Sequence, residues 1–284
     1  MFTAEQGHAS PVLNRFEVDA DGSFTRNGEG SRLAMSEFYD GLANLYHLIF
    51  QDWDKSIERQ AGQLSGIIEE RWGAGMRHIL DVSCGIGTQA IGLAQRGFLV
   101  TASDLSHGAI SRAEVEAQRR GVEIDFSVCD MRTVHAHHQR QFDVVVSADN
   151  SITHLLNDDD LLMALREMFA CTRPGGGCLL TVRDYDREER GTGIVKSYGV
   201  RDEGGKRYVI FQVWDFADRV YDLAMYFVVD DRASEQLVTR VMRTKYNAVG
   251  TDHLLILMHR AGFTKTERLD DRFYQPVLVG NREA

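Results

Sequence analysis

Hydrophobic and polar positions set out a succession of short elements, most legibly over residues 78–106, HILDVSCGIGTQAIGLAQRGFLVTASDLS. Residues 79–82 are a short apolar run, the pattern of a strand buried on both faces. Gly85 and Gly87 follow at once. A turn whose backbone must come close to a ligand needs residues without a Cβ. Ala90, Ile91, Leu93 and Ala94 form one face of a helix over 88–96, and Gly97 ends it as a C-cap would. Residues 98–102 read as a second buried strand, with Asp104 just past its end. In a doubly wound sheet ligands bind at the carboxyl ends of the strands, and an acid at the end of the second strand meets the two hydroxyls of a ribose.

The pattern on either side extends the alternation. Phe38, Leu42, Leu45, Ile49 and Phe50 fall at helical spacing over 36–54, with Tyr39 and Tyr46 on one face; 54–70 continues as an amphipathic helix with Ile57, Leu64, Ile67 and Ile68 inward. Residues 1–33, rich in Gly, Ser, Asn and acids, read as a mobile arm, a flap over a site or an arm exchanged between subunits. Beyond Asp104, a helix is expected over 107–120, opened by a Ser cap and closed by Gly121. Strands follow over 123–128 and 142–147, then a helix over 158–171 with acids at its start, as the helix dipole favours. Residues 173–177 read as a turn and 178–182 as a strand. From 188 to 247 the texture becomes β, with 208–214, 220–229 and 236–246 alternating apolar and polar between turn signals at 202–205 and 230–231. A helix over 252–261 and strands over 264–269 and 276–279 complete the chain, Pro276 suiting a strand start.

Composition narrows the function classes. A chain of 284 residues with 43% hydrophobic and 26% charged residues is ordinary for a globular protein of one large domain, or one with an appendage. No apolar run approaches the ~20 residues of a membrane span, and the N-terminal residues lack a basic stretch followed by an apolar core. The four cysteines form no C-x-x-C pair and read as reduced thiols of a cytoplasmic protein. A net charge of −10 without a basic stripe argues against a nucleic-acid substrate. His135, His137 and His138 read as part of a polar loop with no spaced carboxylate partner, so no metal site is expected.

A G-x-G turn serves two cofactor classes. Gly85-Ile-Gly87-Thr-Gln-Ala90 is compatible with the dinucleotide fingerprint, whose third position permits alanine. Asp81, four residues before Gly85, completes D-x-x-x-G-x-G, which resembles motif I of the class I S-adenosyl-L-methionine-dependent methyltransferases. An acid repels a pyrophosphate and attracts an ammonium group. Tyr39-Asp40, Ala43 and Tyr46 resemble the Y-D-x-x-A-x-x-Y segment ahead of motif I in small-molecule members, and Pro174-Gly-Gly resembles the turn before their fifth strand. The resemblance implies an α/β fold: a Rossmann-like doubly wound seven-stranded sheet, with an N-terminal helical cap and an antiparallel β insertion after the fifth strand. The implied divisions are an arm and cap (1–74), a cofactor-binding core (75–187), an insertion acting as substrate lid (188–247), and a C-terminal helix with the last two strands (248–284). It also implies S-adenosyl-L-methionine as cofactor, held by Tyr39, Asp81, Ser83, Gly85, Gly87, Asp104, Leu105 and Ala148. Asp130 would meet the adenine amino group, with Met131 on the ring.

Two strand ends resemble the glycine/sarcosine N-methyltransferases more closely. Residues 150–155 are similar to their N-S-F-x-H-L segment and residues 183–186 to their R-N-Y-D segment. This implies Arg183 as the clamp for a substrate carboxylate, Tyr46, Asn150 and Tyr185 as further substrate ligands, and Asn150 and His154 as candidates at the reacting centre. An arginine fork matches a carboxylate with two parallel charge-assisted bonds. Plainer roles stay open: core packing for Tyr39 and Tyr46, an ion pair for Arg183, a turn or cap for Asn150 and Asp130, a packed histidine for His154. The implied partner is a small amine or amino acid, with a homo-oligomer compatible. The rival readings are a natural-product O- or C-methyltransferase, a non-catalytic binder of the same cofactor, and a nicotinamide oxidoreductase.

Overall fold

The computed structural model describes residues 16–18 and 24–284. A short antiparallel pair, β1 (Phe16–Val18) and β2 (Phe24–Arg26), precedes two helices, α1 (Asn27–Leu42) and α2 (Trp53–Trp72), joined through a 3-10 turn over Tyr46–Ile49. Next come β3 (His78–Asp81), α3 (Thr88–Gln95), β4 (Leu99–Asp104), α4 (His107–Arg119) and β5 (Asp125–Val128). They are followed by α5 (Val134–His138), β6 (Phe142–Ser147), α6 (Asp158–Cys171) and β7 (Thr172–Thr181). A meander of β8 (Ile194–Glu203), β9 (Lys206–Ala217), β10 (Val220–Asp231) and β11 (Gln236–Asn247) intervenes before α7 (Thr251–Ala261), β12 (Thr264–Leu269) and β13 (Val277–Asn281).

The main sheet has seven strands in the order β12-β13-β7-β6-β3-β4-β5. Five run parallel, and β13 and β12 close the edge antiparallel. The strand order reverses at β3, which puts the binding crevice at the carboxyl ends of β3, β4 and β6. Apolar alternation within each strand fills both faces, because successive side chains point to opposite sides. Leu80, Val145 and Leu180 face α6 and α7, whereas Ile79, Val144, Val146 and Leu179 face α2 and α3. The meander is a separate four-stranded antiparallel sheet whose Tyr221, Leu223, Met225 and Phe227 alternate inward against Phe38 and Leu42 of α1. Each such apolar side chain contributes about 1.5–3 kcal/mol on full burial, so the insertion and the N-terminal helices hold each other over the crevice.

Several expectations shift. Of the arm expected over 1–33, residues 1–15 and 19–23 lie outside the described residues, and the helix expected from residue 36 starts at Asn27 and stops at Leu42. The stop lets Leu45 and Leu48 join Phe38 and Leu42 in the cluster under the meander. Three insertion strands were expected, and the structure adds β8. The 173–177 turn is part of β7, which pairs with β6 across a register shift. His135, His137 and His138 lie on α5 rather than in a loop. Among the described residues no group of three or more His, Cys, Asp or Glu could hold a metal ion, and no helix is long and apolar enough to cross a membrane. Cys84, Cys129, Cys171 and Cys178 are all free and buried.

Candidate active site

The glycine turn between β3 and α3 is shaped by left-handed backbone at Gly85 (φ 53°) and Gly87 (φ 91°). At Gly87 the left-handed φ favours glycine, and an added Cβ, 2.9 Å from Ile91 Cδ1, would also require that side chain to shift. Asp104 closes the turn from the end of β4: Oδ2 accepts from Gly85 N–H and Oδ1 from Ser106 N–H, each at 2.9 Å. Burial raises its carboxyl above the usual range, against the pull of these two bonds. Asp81 is fully buried behind the turn, with Oδ1 accepting from Ser83 N–H at 3.2 Å and Oδ2 without a partner among the described residues. Burial pushes Asp81 up to about 7.

A cavity opens above the turn. Ser83, Gly85, Asp104 and Leu105 form one wall, Asp130, Met131 and Ala148 another, with Tyr39 and His154 beside them. Asp81 and Gly87 shape the turn from behind and do not line it. A second cavity, about 920 Å³, lies beyond it and is bordered by Asn150 and Arg183. Tyr39, Tyr46 and Asp149 line both, so the two chambers share a wall.

The N-terminal helices reach this wall through one acid. Asp40 Oδ1 accepts from Ser106 Oγ at 2.5 Å and from Gly108 N–H at 2.8 Å, placing a carboxylate at the N-terminus of α4, where the helix dipole favours it. Tyr39 is thereby set over the crevice. Its Oη lies 2.8 Å from His154 Nε2 and 3.3 Å from Tyr246 Oη. Burial raises the Tyr39 phenol well above 10 and lowers His154 to about 3, so at neutral pH both are uncharged.

Other expected residues are engaged within the chain. Arg132 occupies both carboxylate oxygens of Asp130, its Nη2 reaching Oδ2 at 2.7 Å, so a ligand amine would have to share that carboxylate. Asn150, left-handed at φ 67°, spends its amide on scaffolding: Nδ2 donates to Tyr185 Oη at 2.7 Å and Oδ1 accepts from Arg183 N–H at 2.9 Å. Tyr185 also meets Tyr221 Oη at 3.1 Å and is 1% exposed, behind the cavity wall. Arg183 faces the second cavity, stacked 4.4 Å from the Trp214 ring centroid with Glu188 Oε1 at 3.6 Å from its Nε. Sequence reasoning missed Asp149, Tyr198, Tyr246 and Tyr274. Asp149 had a signal, since it lies between Ala148 and Asn150 at a strand end; the tyrosines of the insertion and the final loop had none.

The Asp81 carboxyl gives a pH test. Its folded pKa, about 7, exceeds the unfolded value of 3.8, so folding takes up a proton between those pH values. Its stabilising contribution is fully present below 3.8 and is lost as pH rises through about 7, by at most ~4 kcal/mol at 1.36 kcal/mol per pKa unit. Melting of the ligand-free protein from pH 4.5 to 8 should show stability falling relative to Asp81→Asn; parallel curves would place the carboxyl elsewhere in its titration.

Residues 79–176 match the family model of a methyltransferase domain. With the sheet order and the glycine turn, this gives the chain the class I S-adenosyl-L-methionine-dependent methyltransferase fold, related to the glycine/sarcosine N-methyltransferases among others. The glycine/sarcosine N-methyltransferase of Parasynechococcus marenigrum is 32% identical over 145 residues, 51% of this chain and 50% of that protein. The chain thus spans about half the length of the curated relatives it matches. The crystal structure of Streptomyces venezuelae DesVI has a TM-score of 0.74 at 19% identity, covering 85% of this chain and 98% of that one. The sugar N-methyltransferase KedS8 from Streptoalloteichus gives 0.71 at 20% identity, covering 84% and 93%.

Proposed function

We propose that this protein holds S-adenosyl-L-methionine in the first cavity and transfers its methyl group to an amine of a small molecule held in the second. The observation that carries this is the wall shared by the chambers, formed by Tyr39, Tyr46 and Asp149. The fit of the cofactor rests on the closed glycine turn and on the Asp104 carboxylate at the strand end, with Ser83 and Leu105 beside it on the cavity wall. When bound, the cofactor supplies a methyl group already activated as a sulfonium. The chain has to align the acceptor and keep water out. Tyr39 and Tyr246, packed against His154, and Tyr46, packed against Tyr39, do the second by lining the passage with aromatic surface. A neutral His154 hydrogen-bonded to Tyr39 suits positioning of an amine that arrives already deprotonated.

The size of the second cavity supports an acceptor larger than glycine. About 920 Å³ stands near the top of the ~300–1,000 Å³ range for drug-sized ligands, which suits an amino sugar or another natural-product amine, the kind of acceptor named for KedS8. The second reading, a glycine- or sarcosine-like acceptor, is favoured by Arg183 on the cavity wall and by the similarity to enzymes of that name. A panel of glycine, sarcosine, amino sugars and phenols with labelled cofactor decides between them. Labelled amine products support the proposal; labelled phenols alone, or no product, overturn it. Where a carboxylated amine is the acceptor, Arg183→Ala should raise its KM about 100-fold, the loss of a paired charge-assisted contact, and leave S-adenosylhomocysteine affinity within about twofold. An unchanged KM would return Arg183 to its Trp214 stack.

A further inference from the structure

We infer that Asp149 is the residue that receives the reacting amine. The proposal rests on the methyl-transfer reading above. Asp149 follows β6 in left-handed backbone (φ 55°) and is one of the few residues bordering both cavities. Its carboxylate is fixed from one side only: Oδ1 accepts from Tyr274 Oη at 2.6 Å and from Gln275 Nε2 at 3.2 Å. Its backbone N–H donates to Thr181 Oγ1 at 2.8 Å, which anchors the loop to β7. Among the described residues Oδ2 has no hydrogen-bond partner and no arginine or lysine lies within ion-pair distance of the carboxylate. Arg183, on the wall of the second cavity, is held by Glu188 and Trp214 instead. Burial raises the Tyr39, Tyr46, Tyr198 and Tyr274 phenols, and the negative charge of Asp149 adds to the rise.

A carboxylate held rigid on one oxygen and open on the other, at the junction between donor and acceptor chambers, is matched to a group that becomes cationic there. In the transfer, the amine lone pair forms the new N–C bond, the S–C bond breaks with its pair going to sulfur, and the nitrogen takes up the positive charge before releasing a proton to solvent. Asp149 accepts an N–H bond from the incoming amine and stabilises the charge that develops on it, an interaction stronger in the transition state than in the ground state. The same carboxylate sets specificity: amines gain, whereas phenolate or carboxylate acceptors, anionic when reactive, are repelled.

Sinefungin tests this without knowledge of the acceptor, because it carries an amine where the cofactor carries its methyl group. Binding of sinefungin and of S-adenosylhomocysteine is measured by calorimetry on the full chain and on Asp149→Asn, a residue that tolerates left-handed backbone. Asp149→Gly, free in that region, serves as a second variant should the first fold poorly. The expected result is a loss of about tenfold or more in sinefungin affinity with S-adenosylhomocysteine unchanged within about twofold. Equal affinities in wild type and variants overturn the role of Asp149 and leave the methyltransferase reading standing. Failure of the wild type to bind either compound overturns both.

Discussion

Replacing Asp104 by Ala should reduce affinity for S-adenosylhomocysteine by about 100-fold or more. The carboxylate accepts from Gly85 N–H and Ser106 N–H at 2.9 Å each, so it ties the glycine turn to the end of β4. It also lines the first cavity, where on the proposed reading its remaining lone pairs would meet the ribose hydroxyls. The variant loses the turn's clamp and the ribose partner together, and hydrogen bonds to a charged group contribute roughly 1.5–3 kcal/mol each. Asp104→Asn keeps the shape but can accept on one atom only, so it should fall between wild type and Ala. Calorimetric titration of the three proteins checks the order. Equal affinities would detach the carboxylate from ligand binding.

Gly176→Ala should lower the melting temperature by roughly 6–12 °C, equivalent to a destabilisation of about 3 kcal/mol in a chain of this size. An added Cβ would lie 2.3 Å from Asp143 O, backbone of the neighbouring strand β6. That backbone cannot retreat. The Asp143 carboxylate accepts from Arg77 and His78 N–H and pairs with Arg173 at 2.6 Å, which fixes it between β3 and β7. The register shift in the β6–β7 pairing begins at the same place. Thermal melts of the variant settle it; a change under 2 °C would mean the strands do not close as described.

This glycine run marks where sequence pattern is and is not sufficient. Pro174 and three glycines read as a turn because those residue types usually punctuate, yet here the glycines are strand residues: Gly176 lies against the Asp143 carbonyl of β6, and Gly177 lies under the Trp72 ring of α2. The periodic segments were legible because burial on one or two faces writes itself into spacing: β6 and α6 fall where their apolar patterns place them. β8 did not announce itself. Its sequence, IVKSYGVRDE, interrupts alternation with Gly199 at φ 87°, where the pairing with β9 shifts register. Likewise α1 begins in a stretch carrying two glycines, and a helix there draws on its packing against α4 and β11 rather than on propensity.

At the site, residues adjacent in sequence to the glycine turn were placed by motif, and the first cavity gathers Ser83, Gly85, Asp104 and Leu105 from them. Which polar atoms are free is a matter of three-dimensional pairing that spacing does not encode. Asn150 and Tyr185 bond to each other, and Arg132 engages Asp130, whereas Asp149 keeps an oxygen open. The second cavity takes Tyr198 and Tyr246 from two strands of the insertion and Tyr274 from the loop before β13, separated by 48 and 28 residues, so no local pattern could have assembled it.

The central claim is that the glycine turn and Asp104 grip a nucleoside carrying an amino-acid tail rather than a dinucleotide. Calorimetry of the full chain against S-adenosylhomocysteine and, separately, against NADH and NADPH tests it most directly. Saturable binding of S-adenosylhomocysteine at one site per chain, with no heat from either nicotinamide, is the predicted result. Tight binding of NADH or NADPH with none of S-adenosylhomocysteine would contradict it.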